Sequence, residues 1–132
     1  MKDNPDLLLV RQAINASQHA YIPYSGYPVG AALLGEDGTV YAGCNVENAA
    51  YPATICAERT ALVKAISDGA RAFSALAVVT RNGGSPCGLC RQMLYEFAPQ
   101  LRVIVADLEG NIHYEKALNN LLPEGFGPAS LD

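Results

Sequence analysis

Three cysteines and one glutamate lie in two short segments of the chain. Cys56 is followed two residues later by Glu58, and Cys87 and Cys90 come further on, three residues apart. Residues at that spacing share one face of a helix, so both sulfurs can bind one ion. Three thiolates suit Zn²⁺, whose tetrahedral geometry leaves a fourth position for a water molecule that loses a proton near neutral pH. The spacing predicts one Zn²⁺ ion per chain, with Glu58 left free to carry protons.

Two other interpretations of the cysteines stay open at this point. A Cys-x-x-Cys pair is often a redox pair, although this would leave the spacing of Cys56 and Glu58 unexplained. A closed structural site with Cys44 as the fourth thiolate is the second alternative. Cys44 comes late in a predicted strand, where a buried free cysteine that acts as a small hydrophobic residue is more common. We therefore expect Cys44 to remain free.

A zinc site with three thiolates carries a net negative charge, which weakens the ability of the ion to make bound water acidic. A cation that forms hydrogen bonds to the sulfurs would correct this. Arg59 and Arg91 each come directly after one of the motifs and are the candidates. For Arg91, a solvated surface position is equally consistent with the sequence.

The elements around these motifs predict an α/β fold in a single domain of residues 1–132. Asn4-Pro5 predicts a helix start, and apolar residues follow at helical spacing to about Tyr21. Apolar runs at 29–34 and 39–45 flank a glycine-bounded turn that is typical of a hairpin. The remaining predictions are a helix from about Ile55 to Ser67, a strand at 75–80, a helix from the Ser85-Pro86 cap through Phe97, strands at 101–106 and 112–114, and a short helix near 115–121. Alternating strands and helices predict five strands with helices on both faces.

Each cysteine motif falls near the start of a predicted helix. Backbone N–H groups and the helix dipole at an N-terminus favour a thiolate over a thiol. The two helices are therefore expected to point their N-termini at one place, where the three sulfurs would meet.

The charge of the chain disfavours a nucleic-acid substrate. Its 132 residues carry a net charge of −4, and the nine basic residues form no continuous stripe. A protein that binds nucleic acid usually needs such a stripe to displace counterions from phosphates. A small uncharged substrate fits better.

Neither a signal peptide nor a membrane helix is predicted. The first residues, Met1-Lys2-Asp3-Asn4-Pro5, are polar, and no segment approaches the roughly 20 apolar residues of a membrane span. We expect a cytoplasmic protein without a membrane partner, whose four cysteines stay reduced and available to a metal.

Both motifs, together with further segments, resemble the small homotetrameric cytidine deaminases. The resemblance extends from about Tyr21 to Leu131, which is nearly the whole chain. It implies a three-layer α/β/α sandwich around a five-stranded mixed sheet. The segments that carry it are Cys56-Ala57-Glu58-Arg59-Thr60-Ala61, Pro86-Cys87-Gly88-Leu89-Cys90-Arg91-Gln92, Pro23-Tyr24-Ser25, Val29-Gly30-Ala31-Ala32, Asn45-Val46-Glu47-Asn48-Ala49-Ala50-Tyr51, Leu122-Pro123 and Phe126-Gly127.

The resemblance also implies an activity. It is the zinc-dependent hydrolysis of cytidine and 2′-deoxycytidine to uridine and 2′-deoxyuridine, with release of ammonia, in pyrimidine salvage. Cys56, Cys87 and Cys90 would hold the zinc ion, Glu58 would move the protons, and Arg59 would form hydrogen bonds to the sulfurs.

Substrate-binding residues follow from the same resemblance. Asn45 and Glu47 would hold the ribose 3′-hydroxyl, and side chains two apart at a strand end do face the same way. A capped turn is the structural alternative for either one. The backbone of Ala57 would read the base. Tyr51 and Phe126 would reach the site from neighbouring subunits of a homotetramer.

Tyr27 departs from the family pattern, which usually has phenylalanine at this position beside the substrate. Its ring still provides an aromatic wall, but its hydroxyl needs a hydrogen-bond partner.

Three rival functions remain. A deaminase of a cytosine-containing antibiotic resembles this family in its zinc motifs, but the pair Asn45 and Glu47 and the position of Phe126 favour a free nucleoside. An RNA- or DNA-editing deaminase is disfavoured by charge. A zinc-stapled interaction module without catalysis would not require Glu58.

Overall fold

A five-stranded mixed sheet forms the centre of the molecule. The computed structural model describes residues 4–132, so residues 1–3 of the predicted domain lie outside the described residues. The strands are arranged in the order β2-β1-β3-β4-β5, with β3 and β4 parallel and the other neighbours antiparallel. In chain order the elements are α1 (Pro5–Ser17), β1 (Gly30–Gly35), β2 (Val40–Cys44), α2 (Ala57–Ser67), β3 (Phe73–Thr80), α3 (Gly88–Phe97), β4 (Arg102–Asp107), β5 (Ile112–Ala117) and α4 (Leu118–Leu121), with 3-10 turns at Tyr51–Ala53 and Pro128–Leu131.

Helices cover both faces of the sheet, which confirms the predicted three-layer architecture. Alternate residues of β3 point to opposite faces, as the twofold period of a strand requires. Ala77 and Val79 pack with α1, whereas Leu76 and Val78 pack with α2 and α3. Among residues 4–132, no helix combines the length and the apolar character needed to cross a membrane.

A glycine lets α2 lie very close to the sheet. A Cβ atom at Gly43 of β2 would lie 2.7 Å from the backbone nitrogen of Ala61 in α2. That separation is shorter than any normal contact, so this position of the helix requires glycine. Glu58 is in the first turn of α2, so this close approach also sets how near the sheet its backbone lies.

Several predicted boundaries were wrong. Helix α1 begins at the predicted Asn4 cap but ends at Ser17, short of Tyr21. The backbone of Tyr21 instead bonds to Asn45 and Glu47, which draws the chain away from the helix. Strand β5 runs to Ala117, because its last residues pair with β4, and this shortens the helix predicted near 115–121.

The predicted Ser85-Pro86 cap of α3 was also wrong. The residue at the N-cap is Cys87, and the helix begins at Gly88. The side chain of Arg91 donates to the Ser85 hydroxyl at 2.9 Å and to the Pro86 carbonyl at 2.7 Å. These contacts hold both residues outside the helix. Cys56 is likewise the N-cap of α2 rather than a residue of its first turn.

Candidate active site and metal centre

The three cysteines of the two motifs come together at the N-termini of α2 and α3. The sulfur of Cys87 lies 3.7 Å from that of Cys56 and 3.5 Å from that of Cys90. All three sulfurs are within 4.8 Å of one another, and Cys44 lies outside this group. Zn–S bonds of about 2.3 Å in a tetrahedron place sulfurs about 3.8 Å apart. The donor set and its spacing therefore fit a zinc ion with three thiolate ligands and one open position.

Both helix starts favour thiolates at this point. Cys56 and Cys87 are N-caps without side-chain capping bonds, and Cys90 lies in the first turn of α3. The first N–H groups of a helix have no partner within the helix, so they and the dipole stabilise negative charge nearby. The predicted convergence of the two N-termini is thus present in the fold.

The Arg59 guanidinium lies beside the Cys56 sulfur. It donates to this sulfur at 3.6 Å and to the Thr54 carbonyl at 3.2 Å. A hydrogen bond from the Cys90 thiol, with smaller contributions from Arg59 and Cys87, lowers the pKa of Cys56 to about 5. The hydrogen bond between the Cys90 thiol and the Cys56 sulfur, together with burial, raises the pKa of Cys90. The cluster therefore gives up its first proton readily.

Glu58 is a buried carboxyl group beside the sulfurs. Only 4% of the residue is exposed. Burial, opposed by a hydrogen bond from its own backbone, raises the pKa of Glu58 to about 7. A group with a pKa near the working pH can both accept and release a proton, which is what a general acid–base catalyst needs.

A cavity of about 410 Å³ opens onto this cluster. Its size lies in the range of small-molecule sites. A hollow of similar volume lies between α1 and α2, but its lining contains one cysteine and no carboxylate, so it lacks comparable chemistry. The residues that line the cavity at the sulfurs are Ser25, Tyr27, Val29, Asn45, Glu47, Thr54, Cys56, Ala57, Glu58, Val78, Thr80, Gly84, Ser85 and Cys87.

Asn45 and Glu47 line this cavity and also form hydrogen bonds to the segment 24–29, which forms one of its walls. The Asn45 amide accepts from the Val29 N–H at 3.0 Å and donates to the Tyr27 carbonyl at 2.9 Å. One Glu47 carboxylate oxygen accepts the Tyr24 and Ser25 N–H groups, and the other accepts the Ser25 hydroxyl.

These bonds leave some hydrogen-bonding capacity. The bond from the Ser25 hydroxyl lowers the pKa of Glu47, which therefore stays ionised. A carboxylate offers about four acceptor positions and an amide has two N–H donors, so both side chains can still take a ligand hydroxyl. Asn45 and Glu47 can therefore hold the backbone of this wall and still have the capacity to bind a ligand hydroxyl.

Neither Tyr51 nor Phe126 lines the cavity at the sulfurs within this single chain. Tyr51 is 70% exposed and packs edge-on against Tyr24, with 5.7 Å between ring centroids. Phe126 is 56% exposed, and its carbonyl accepts from Gln92 at 2.9 Å. The shared-site role expected for these two aromatics stays a prediction.

Arg91 contacts no sulfur among the described residues. Besides Ser85 and Pro86, its guanidinium donates to the Leu121 carbonyl at 2.7 Å. It is therefore neither a cation at the sulfurs nor a solvated surface residue. It ties the loop before Cys87 to the end of α4. The adjacent motif gave no signal for this contact, because Leu121 is distant in sequence.

Comparisons with known proteins agree with this chemistry. Residues 3–106 match the family model described as the cytidine and deoxycytidylate deaminase zinc-binding region. A cytidine deaminase of Sporosarcina psychrophila is 52% identical over 126 residues, which cover 93% of this chain and 92% of that protein. One from Halalkalibacterium halodurans is 48% identical over 122 residues, covering 90% and 92%.

Solved structures show the same fold. The crystal structure of cytidine deaminase from Burkholderia pseudomallei superposes with a TM-score of 0.86 at 44% identity, covering 90% of this chain and 97% of that one. Cytidine deaminase from Mycobacterium tuberculosis gives a TM-score of 0.80 at 40% identity, covering 95% and 99%.

Proposed function

This chain belongs to the cytidine and deoxycytidylate deaminase zinc-binding family, and we propose that it hydrolyses cytidine and 2′-deoxycytidine to uridine and 2′-deoxyuridine with release of ammonia. It is an enzyme, and zinc is its cofactor. The proposal rests on the buried Glu58 carboxyl group beside three convergent thiols, of which Cys56 and Cys87 line the same cavity as Glu58 and Cys90 is buried.

Cys56, Cys87 and Cys90 would hold the metal. A zinc ion held there would supply Lewis acidity, which lets a water molecule lose a proton near neutral pH. Glu58 accepts that proton as the water attacks C4 of the base, and passes it to N3. Glu58 then accepts the proton of the hydroxyl group now on C4 and delivers it to the amino group, so that the C4–N bond breaks, the C4 carbonyl forms and ammonia leaves. One water is consumed and one ammonia is released for each uridine formed.

The remaining wall residues would orient the nucleoside. Asn45 and Glu47 keep free capacity for the ribose 3′-hydroxyl. Ala57, at the start of α2, lines the same cavity, and its backbone would read the base. The Tyr27 ring supplies the aromatic wall. The single domain of residues 1–132 would then contain the zinc ligands, the proton carrier and most of the substrate contacts.

The substrate class can be tested directly. Loss of cytosine absorbance is followed with the zinc-loaded protein on cytidine, 2′-deoxycytidine, a cytosine-containing nucleoside antibiotic and a single-stranded oligonucleotide. We expect turnover of the first two. Turnover of the antibiotic or the oligonucleotide alone would contradict the proposal, and no turnover of any substrate would favour a non-catalytic zinc module.

Arg59→Gln should fold and bind zinc but deaminate more slowly. Without the guanidinium, more negative charge stays on the sulfurs, and this charge opposes deprotonation of the attacking water. We expect the acid limb of the pH–rate profile to move to higher pH. Full activity with an unchanged profile would show that the helix N-termini provide the required stabilisation without Arg59.

We further propose a cytoplasmic homotetramer that acts in pyrimidine salvage, with active sites shared between chains. Tyr51 and Phe126 are large and exposed in the single chain. In an assembly, an aromatic side chain such as Phe126 on the C-terminal segment can pack against the substrate cavity of a neighbouring subunit. Other exposed apolar side chains that an assembly would cover are Tyr21, Tyr24, Val46, Val63, Leu89 and Leu131.

Refolding two inactive variants together tests the sharing. Glu58→Gln and Phe126→Ala are unfolded, mixed in equal amounts and refolded, with each variant refolded alone as the control. If Phe126 acts on a neighbour, about a quarter of the sites regain both residues by random assembly. The activity should then exceed the sum of the two parents. Mixed tetramers without that gain would show that Phe126 serves its own chain.

A further inference from the structure

We infer that Asn82 is a positioning residue of the nucleoside cavity, because its side-chain oxygen joins the hydroxyls of Tyr27 and Thr80 behind one wall. This inference rests on the proposed function of that cavity. Asn82 lies in the loop between β3 and α3, five residues before the proposed zinc ligand Cys87.

The contacts form one continuous chain of hydrogen bonds. The Tyr27 hydroxyl donates to Asn82 Oδ1 at 2.6 Å, and the Thr80 hydroxyl donates to the same oxygen at 3.2 Å. The Gly84 N–H in turn donates to the Thr80 hydroxyl at 2.7 Å. A carbonyl oxygen has two lone pairs and a hydroxyl both donates and accepts, so every bond in this chain is chemically satisfied.

The bonded residues occupy different positions relative to the cavity. Tyr27, Thr80 and Gly84 line it, whereas Asn82 is not among the residues that line it. Thr80 is 4% exposed and Asn82 is at the surface. Asn82 therefore acts on the substrate through the residues that it holds.

The surrounding atoms leave the loop little freedom. A Cβ atom at Gly84 would lie 3.1 Å from the Tyr27 hydroxyl oxygen. One at Gly83, whose φ is +72°, would lie 2.3 Å from the His113 ring. The Arg81 guanidinium lies 5.0 Å from the Tyr27 ring centroid, within range of a cation–π contact. The ring is thus held at its hydroxyl and on one face.

This arrangement gives the Tyr27 hydroxyl the partner that it needs. Bonded to Asn82, the hydroxyl is tied to the loop, and the ring can present carbon atoms to the cavity. Without Asn82, the ring loses its tether and Thr80 loses an acceptor. The wall should then bind the nucleoside less tightly. The sulfurs and Glu58 form no hydrogen bond with Asn82 among the described residues, so they should keep their geometry.

A double-mutant cycle tests the inference in the zinc-loaded full chain. Asn82→Ala, Tyr27→Phe and the double variant are compared with wild type for zinc content, for kcat and KM on cytidine, and for the inhibition constant of uridine. Removing one partner of a hydrogen bond costs more than removing both, so Asn82→Ala alone should raise KM and the uridine constant about fivefold to tenfold. In the Tyr27→Phe background the same change should raise them by no more than about twofold. We expect zinc content and kcat to change little.

Two further variants sharpen the result. Asn82→Asp keeps an acceptor oxygen and should restore KM to within about twofold of wild type. Asn120→Ala removes an exposed asparagine of α4 that has no side-chain hydrogen bond among the described residues, and serves as the matched control. If Asn82→Ala does not fold, Asn82→Ser, whose shorter side chain cannot reach the Tyr27 hydroxyl, replaces it in the cycle.

Three results would overturn the inference. They are an unchanged KM in Asn82→Ala, an equal rise in KM in both backgrounds, and a loss of zinc that accounts for the lost activity. Wild-type protein that fails to deaminate cytidine would instead overturn the proposed function, so the two failures are distinguishable.

Discussion

Glu58→Gln should retain zinc and fold normally but lose turnover by about 10²–10⁴-fold or more. The amide has nearly the same shape as the carboxyl group, so the buried position tolerates it. It cannot accept and release a proton, however, and one side chain is proposed to serve several proton transfers. Single-turnover and steady-state rates on cytidine measure the loss, and metal analysis checks the zinc.

The matched control for this variant is Glu96→Gln. Glu96 is exposed on α3 and lies outside the cavity, and the substitution makes the same chemical change. We expect its rate to equal that of wild type. Glu58→Gln protein that keeps more than about a tenth of the wild-type rate would remove this residue from the proton-transfer steps, because general acid–base catalysis is worth more than that.

Cys87→Ser should lose most of its zinc and its activity, and its melting temperature should fall. Cys87 is the exposed member of the three thiols and is also the N-cap of α3. Serine can replace it as a cap but is a poor zinc ligand. A drop in stability would therefore reflect the lost metal and not a lost helix cap. Because metal binding contributes folding free energy, the variant should unfold at lower temperature or denaturant concentration. Metal analysis and thermal unfolding measure both effects.

Cys44→Ser is the control for the loss of a thiol. Cys44 lies outside the group of three, so this variant should keep its zinc and its rate. Loss of zinc from Cys44→Ser, with the other three cysteines intact, would show a closed four-cysteine site and contradict the open catalytic one.

The candidate zinc ligands and the proton carrier could be predicted from sequence because they occur in two short motifs. Cys56 and Glu58 share one helix start, and Cys87 and Cys90 share another. Short-range spacing and helix geometry are enough to bring each pair together. The five-stranded sheet followed from the same kind of pattern, since strand and helix periods are local properties.

Side-chain partners across the fold could not be predicted in this way. Tyr27 and Asn82 are 55 positions apart, and their bond depends on how the loop before α3 is packed. The contacts of Arg91 with Ser85 and Leu121 depend on a rotamer and on the place where α4 ends. Such pairings follow from tertiary packing, which overrides local signals, and the misplaced Ser85-Pro86 cap is one consequence.

A zinc titration of cytidine deamination tests whether this chain is a zinc-dependent deaminase. The protein is stripped of metal by a chelator, zinc is returned in measured amounts, and loss of cytosine absorbance and release of ammonia are followed together. We expect the activity to rise in proportion to bound zinc and to reach its limit at one ion per chain, with one ammonia released for each cytidine consumed. Undiminished activity in the stripped protein, or fully zinc-loaded protein that leaves cytidine unchanged, would contradict this expectation.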